Sequence, residues 1–376
     1  MLPSSGLKIG RIFGIDITIN VSWLLIFILI SYSFGALLYE TPEFPDGAWP
    51  WVAGVITGVV FFACLLLHEL SHSYMAKRSG IAINRITLFI FGGVAEMSED
   101  VQKPMDEFRM AIAGPVVTFV LGGIFGALYL LLRSSNASPL IVAPLGYLAV
   151  TNLAIGIFNL LPGFPLDGGR VLRSLIWHRT GDLRKATRTA SISGQSIAVL
   201  IAGAGVYFLV TGAFISGIWF ILIAFFLYQL AQAGYRQTLL RLAASDTRVR
   251  DIMYTNVPLI EASTPLTMLR HNYFSVYNLP AFPVMDRGQV IGIVSREDLY
   301  QVSPPEWDVL NAGRISSPLS ESQTVNPDMT LDRVLRKVLR GDEFMLVVEG
   351  QNVLGLLTRG ELMRYVDTKM KLLRQG

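Results

Sequence analysis

The chain has 376 residues, of which 52% are hydrophobic and only 16% are charged. Soluble proteins carry about 25% charged residues, so this composition favours a membrane protein, and its length allows two or three domains. The small net charge of +3 and the absence of a Lys/Arg run exclude nucleic acid as an expected partner, and the single cysteine, Cys64, excludes a Cys-based zinc site.

Six apolar stretches are each long enough, at about 17–25 residues, to cross the hydrocarbon of a bilayer as a helix. The first is interpreted as a retained anchor, because it lacks a small-residue cleavage site. The Lys and Arg residues lie mainly before the first stretch, between the second and third, and after the fourth. This bias predicts a multi-pass protein of the cell membrane with both termini in the cytoplasm. The predicted spans are 16–39, 52–76, 108–132, 140–160, 190–211 and 215–235.

The second span contains the sequence H-E-L-S-H at residues 68–72. His68 and His72 are four residues apart and therefore project from one face of a helix, as two ligands of one zinc ion require. Glu69 is placed to act on a water at that ion. Ionisable residues within a membrane span are costly, and they indicate function by default. The competing interpretation is a structural His pair that is hydrogen-bonded within the bundle.

Residues 81–97 follow this helix and predict two short strands with a break at Gly92 and Gly93. We expect one edge of this hairpin to accept an unwound substrate as an added strand. The competing interpretation is a structural re-entrant hairpin that covers the site.

A catalytic zinc requires a third protein ligand, and Asp167 is the candidate. It follows the fourth span in a segment where three Pro and Gly residues stop the helix. Asp106 and Asp182 are rival ligands in a weaker context. Asp167 has an alternative role as the N-cap of a helix over 168–176.

From about Ser245 the chain changes to a soluble α/β pattern in which two units of about 60 residues repeat. Residues 249–367 resemble a tandem pair of cystathionine-β-synthase (CBS) domains. We therefore expect a membrane domain over 1–240, a first CBS domain over 246–305 and a second over 306–370.

The membrane half resembles the site-2 protease family of intramembrane zinc metalloproteases, in the subgroup with CBS domains, over residues 7–235. The resemblance is carried by four motifs: H-E-L-S-H at 68–72, F-G-G-V-A at 91–95, A-G-P at 113–115 and N-L-L-P-G-F-P-L-D-G-G-R at 159–170. It implies one zinc ion bound by His68, His72 and Asp167, with Glu69 as the catalytic base and Asn159 close to the site. Phe164 and Thr118 depart from the pattern of several members, and Thr118 is assigned no role.

The expected fold is a polytopic α-helical membrane domain with a small membrane-associated β-hairpin or sheet, followed by a C-terminal α/β CBS pair. The expected function is regulated intramembrane proteolysis of a transmembrane substrate near the cytoplasmic face, where a membrane anti-sigma factor or signalling precursor fits by analogy. The alternatives are a CBS-regulated transporter or channel and a metal-free scaffold. Asn159 is further considered as a donor to the oxyanion, and its alternative role is to bond backbone at a helix end.

The CBS half offers one turn for ligand binding. Ser295 and Asp298 lie where a strand enters a helix, and the resemblance implies contact with an adenine nucleotide there. In the second repeat Thr358 is followed by Glu361 instead of an aspartate, and Gly360 is expected to interrupt the next helix. Alternatively, Ser295 and Thr358 only cap helices, and the pair serves as a gating platform or a homodimer contact.

Overall fold

The structure is a computed structural model that describes residues 6–41, 47–89, 92–97, 101–135, 137–245, 247–320, 323–338, 342–350 and 352–375. Phe91, the first residue of the predicted F-G-G-V-A motif, lies outside the described residues. The chain divides into two compact units, Met1–Tyr235 and Arg236–Gly376. Each unit is treated separately below.

The first unit is built mainly from long helices. In the described part of the chain, six helices are long and apolar enough to cross a membrane, which confirms the predicted multi-pass fold. The α5 helix is short and is not one of them. The helices are α1 Val21–Tyr39, α2 Trp49–Arg78, α3 Pro104–Ser134, α4 Pro139–Asn159, α5 Asp167–Thr180, α6 Leu183–Val210 and α7 Phe214–Ser245.

The predicted start of the first span at residue 16 was wrong. Residues up to Asn20 belong to a strand, and the helix begins at Val21. The side chain of Asn20 accepts a hydrogen bond from the backbone N–H of Ser22 at 2.9 Å, which is the usual way to begin a helix.

A four-stranded sheet lies in the same unit, with β1 Gly6–Ile12, β2 Ile15–Asn20, β3 Ile83–Phe89 and β4 Gly92–Met97 in the order β1-β2-β3-β4. The β2 and β3 strands are parallel, and the two outer pairs are antiparallel. The predicted hairpin is therefore present, but Gly92 and Gly93 form the start of β4 and not a break between strands. One face of the sheet packs on α2 and α3, where Ile17 and Ile86 of the sheet meet Leu70 and Met110 of the helices. The strand order makes β1 and β4 the two edges of the sheet.

The N-terminal hairpin is attached to the end of α2. Phe13 and Gly14 form its tight turn, and both have positive φ values, of 51° and 78°. The Nζ of Lys77 donates a hydrogen bond to the carbonyl of Phe13 at 2.7 Å. The sheet is thus joined to the helix that carries the histidine pair.

The second unit contains two similar three-stranded sheets, with the orders β5-β6-β7 and β10-β9-β8. In each sheet a short strand pairs in parallel with one strand of a hairpin, which confirms the predicted duplication. The strands are β5 Ile260–Glu261, β6 Ala281–Asp286, β7 Gln289–Ser295, β8 Thr324–Val325, β9 Phe344–Glu349 and β10 Asn352–Thr358.

The helices of the second unit are mostly short. The two repeats share one apolar core, in which Ile260 and Phe282 of the first repeat pack with Leu346 and Leu356 of the second. The helices are α8 Leu266–Met268, α9 Ser275–Tyr277, α10 Arg296–Gln301, α11 Ala312–Ile315, α12 Leu331–Val338 and α13 Arg359–Gln375.

The predicted interruption at Gly360 was wrong, because α13 runs through it. Gly360 is the second residue of that helix, where backbone N–H groups have no partner within the helix. A glycine therefore breaks no hydrogen bond of the helix at this position.

Candidate metal centre

Three ligand-type atoms converge in the first unit: Nε2 of His68, Nε2 of His72 and Oδ2 of Asp167. The two imidazole nitrogens are 3.1 Å apart, and each lies 3.2 Å from the carboxylate oxygen. A tetrahedral zinc ion with bonds of about 2.0–2.1 Å requires ligand atoms separated by about 3.3 Å. The three side chains therefore present their donor atoms at the spacing that zinc demands.

The hydrogen bonds of the two imidazoles fix which nitrogen is free. Nδ1 of His72 lies 2.6 Å from the carbonyl of Met110, which only accepts, so Nδ1 carries the proton. Nδ1 of His68 lies 2.8 Å from Oγ1 of Thr118, whose hydroxyl donates to the carbonyl of Gly114 at 3.1 Å. His68 therefore also donates through Nδ1. Both Nε2 lone pairs then face each other beside a carboxylate, an arrangement that a bound cation stabilises.

One face of α3 supports this arrangement, through residues that the sequence analysis did not assign. Met110, Gly114 and Thr118 recur every four residues and therefore lie along the histidine pair. A Cβ atom at Gly114 would lie 2.3 Å from Nε2 of His72, so only glycine allows the helices to approach this closely. The sequence offered one signal for two of these residues: Gly114 lies within the A-G-P motif, and Thr118 follows it four residues later.

Glu69 is half-buried and lies beside strand β4. Gly93 of that strand lies against its carboxyl group. A Cβ atom at Gly93 would lie 2.4 Å from Cγ of Glu69. Gly92 is next to this contact and has a φ of +125°, which residues other than glycine rarely adopt. The candidate base is thus in contact with the edge of the sheet.

Asp167 is the first residue of α5, and Leu166 occupies the N-cap position. The alternative role of Asp167 as an N-cap was therefore wrong. Gly168 and Gly169 allow the first turn of α5 to pack on the preceding loop, because a Cβ atom at either would lie within 2.3 Å of backbone atoms of that loop.

The structure also places the remaining candidate residues. Asp182 is the N-cap of α6 and accepts a hydrogen bond from the backbone N–H of Lys185 at 2.9 Å. Asp106 lies in the first turn of α3. Asn159 is the last residue of α4 and is half-buried, just before the loop that leads to Asp167. Among the described residues, neither Asp106 nor Asp182 belongs to the ligand group.

A separate cavity of about 930 Å³ lies in the second unit, between the first repeat and residues of the second that include Ser317, Gln323 and 342–344. Ser295 and Asp298 line it. They also form a capping box, in which the Ser295 N–H donates to Asp298 Oδ2 at 2.8 Å and Ser295 Oγ accepts from the Asp298 N–H at 3.1 Å. Thr358 is not among the described residues that line the cavity, and its hydroxyl accepts from the Glu361 N–H at 3.2 Å.

Comparison with protein families and known proteins gives consistent matches. The model described as Peptidase family M50 matches residues 56–137 and 132–203, and the CBS domain model matches 249–304 and 313–368. The chain is 31% identical over 364 residues to a Mycobacterium tuberculosis protein named zinc metalloprotease Rip3, covering 96% of this chain and 93% of that protein.

A Synechocystis protein named zinc metalloprotease sll0528 is 32% identical over 373 residues, covering 97% of this chain and 96% of that protein. Among solved structures, the site-2 protease from Methanocaldococcus jannaschii matches with 29% identity and a TM-score of 0.42. That match covers 61% of this chain and 95% of the other.

Proposed function

This chain belongs to peptidase family M50 and is a multi-pass zinc metalloprotease, and from that premise we propose that it cuts transmembrane proteins within the bilayer. The observation that carries the proposal is the convergence of His68, His72 and Asp167. Two of these ligands lie on a helix long enough to span the membrane, and the third begins the helix after a loop. This arrangement supports chemistry among apolar helices.

In the proposed reaction, the chain's own residues bind the metal and move the proton. His68, His72 and Asp167 would hold the zinc ion, which when bound would supply a Lewis acid for activating water and polarising the scissile carbonyl. The Glu69 carboxylate accepts the proton of the attacking water and delivers it to the leaving amine. Close packing of Gly93 on the Glu69 side chain is proposed to orient that carboxylate. The Asn159 amide, at the end of α4, is proposed to donate to the oxyanion.

The substrate is proposed to bind as a strand along the free edge of β4. A helical substrate hides its peptide bonds in its own hydrogen bonds, so its scissile stretch must be unwound and held extended. The β4 strand pairs only with β3 among the described strands, and Gly93 at its start contacts the proposed base. An added strand would therefore run past Glu69.

The chemistry is proposed to occur toward the cytoplasmic face. His72 is followed within about two turns of α2 by Lys77 and Arg78, which favour the cytoplasmic side of a membrane. By the same rule, both termini and the CBS pair are proposed to be cytoplasmic. The cleavage product would then be released into the cytoplasm.

The CBS pair is proposed to regulate access by binding an adenine nucleotide in the 930 Å³ cavity. The support is that the Ser295–Asp298 turn lines this cavity at the start of α10. A homodimer formed through the pair is the competing proposal, and light scattering of the purified protein with and without nucleotide separates the two.

Metal analysis and cleavage by the purified full-length protein test the catalytic proposal. We expect about one zinc per chain and cleavage of a model single-span substrate. Glu69→Gln should bind the same amount of zinc and lose about 10²- to 10⁴-fold in kcat, because it removes only the proton acceptor. Transport activity without zinc, or full cleavage by Glu69→Gln, would contradict the proposal.

A further inference from the structure

The third candidate ligand reaches the histidine pair from a separate helix. His68 and His72 are hydrogen-bonded to α3 through Thr118 and the Met110 carbonyl. Asp167 is the first residue of α5. The spacing of the three ligand atoms therefore depends on how α5 packs against α3.

A buried ion pair joins these two helices. Both Nε and Nη2 of Arg173 on α5 donate to Oε1 of Glu107 on α3, the first at 2.8 Å. Nε of Arg170 lies 3.8 Å from the same oxygen. Glu107 is completely buried, with 0% of its surface exposed. Two guanidinium groups of α5 thus meet one buried carboxylate of α3.

The arginines of this ion pair also contact the surroundings of both ligand groups. The guanidinium of Arg173 lies 5.0 Å from the ring centre of Phe164, in the loop that leads to Asp167. Nη2 of Arg170 lies 3.9 Å from Sδ of Met110, the residue whose carbonyl accepts from His72. Arg173 itself is six residues beyond Asp167, or about 9 Å along the helix.

We propose that Glu107 and Arg173 are positioning residues of the metal centre. Their ion pair sets the packing of α5 on α3 and so holds Oδ2 of Asp167 at ligand spacing from the two imidazoles. The inference rests on the proposed zinc site. A buried ion pair adds little net stability compared with apolar residues of similar volume, whereas its geometry is specific, so position is its main contribution.

Zinc affinity of the purified full-length protein, measured by competition with a chelator, tests this inference. Glu107→Gln and Arg173→Gln should each weaken zinc binding by about 10- to 100-fold, as loss of groups around metal ligands does. The double variant should bind zinc as well as, or better than, the single variant that binds it more weakly, because both changes remove the same contact. Should Arg173→Gln fail to fold, Arg173→Lys keeps the charge, replaces the two donor nitrogens by one, and should also weaken zinc binding.

Ser191→Ala is the matched control. Its hydroxyl donates to the Ala231 carbonyl at 2.7 Å and accepts from Nε2 of Gln195 at 3.1 Å, so the change removes buried hydrogen bonds within α6 and between α6 and α7. It should lower the unfolding temperature of the zinc-free protein and leave zinc affinity unchanged. If the Glu107 and Arg173 variants fold and bind zinc as tightly as wild type, this inference is overturned while the proposed function stands. Wild-type protein that binds no zinc would overturn the proposed function as well.

Discussion

His68 and His72 face the same way because they are four residues apart on a helix, and this follows from the sequence. The chemical state of their rings depends on α3, where the Thr118 hydroxyl and the Met110 carbonyl accept from the two Nδ1 groups. These partners are 50 and 38 residues away along the chain. Thr118 received no role from the sequence because it departs from the pattern of several family members at that position.

We predict that Thr118→Val weakens zinc binding by about 10- to 100-fold, because valine keeps the shape and removes the acceptor that orients His68. Thr118→Ser retains the hydroxyl and should stay close to wild type. Chelator competition measures both variants.

Thr57→Val is the control for this substitution. Thr57 is buried in the same helix as the histidines, but among the residues that the structure describes its hydroxyl bonds only the Ala53 carbonyl, at 2.7 Å. It should leave zinc affinity unchanged. Equal affinities for Thr118→Val and Thr57→Val would show that the Thr118 contact does not act on the metal.

Strand β4 links the sheet to the proposed catalytic base at the scale of elements. The sequence predicted two strands over 81–97, and both are present. It did not predict that the N-terminal strands β1 and β2 complete the sheet, because the parallel pairing of β2 with β3 joins segments nearly 70 residues apart. Only the assembled sheet shows that β4 is an edge and that Gly93 contacts Glu69.

Proline substitutions at Val94 and Ala95 test the edge as a substrate site. Neighbouring N–H groups of an edge strand alternate between the paired strand and the free edge, so one of these two variants removes a free-edge donor and leaves the pairing with β3 intact. That variant should bind zinc normally and lose about 2- to 10-fold in kcat/KM, the value of one hydrogen bond.

Ile9→Pro on the opposite edge, β1, is the comparison. Ile9 lies at the register shift between Lys8 and Gly10, where a proline disturbs the pairing least. Cleavage by this variant should equal that of wild type. If both β4 variants cleave substrate as well as wild type, the proposal that substrate adds to β4 as a strand is contradicted.

At the scale of the whole molecule, a membrane unit and a CBS unit divide the proposed work between chemistry and regulation. The duplicated sheets follow from the repeated sequence, whereas the cavity requires residues of both repeats, including Ser295 and Phe344. The sequence therefore indicated a regulatory module, and the structure shows a cavity beside the Ser295–Asp298 turn of the first repeat.

We predict that calorimetry of the full-length protein with AMP and ATP detects binding that Ser295→Ala weakens and Thr358→Ala does not. Both hydroxyls cap a helix, so both variants should lose about 1 kcal/mol of stability. Only Ser295 lines the cavity. No heat with wild type, or equal weakening by the two variants, would leave the capping role as the function of Ser295.

The sequence by itself determined the features that depend on local spacing. These are the apolar lengths of the spans, the helical pairing of His68 with His72, the helix stop before Asp167 and the duplication of the CBS half. Tertiary structure decided which distant groups meet. It brought Asp167 to the histidines, Met110 and Thr118 to their rings, and Gly93 to Glu69. The reason is physical: hydrogen bonds and ion pairs act over a few ångströms in space, and only packing of the helices and the sheet sets those distances.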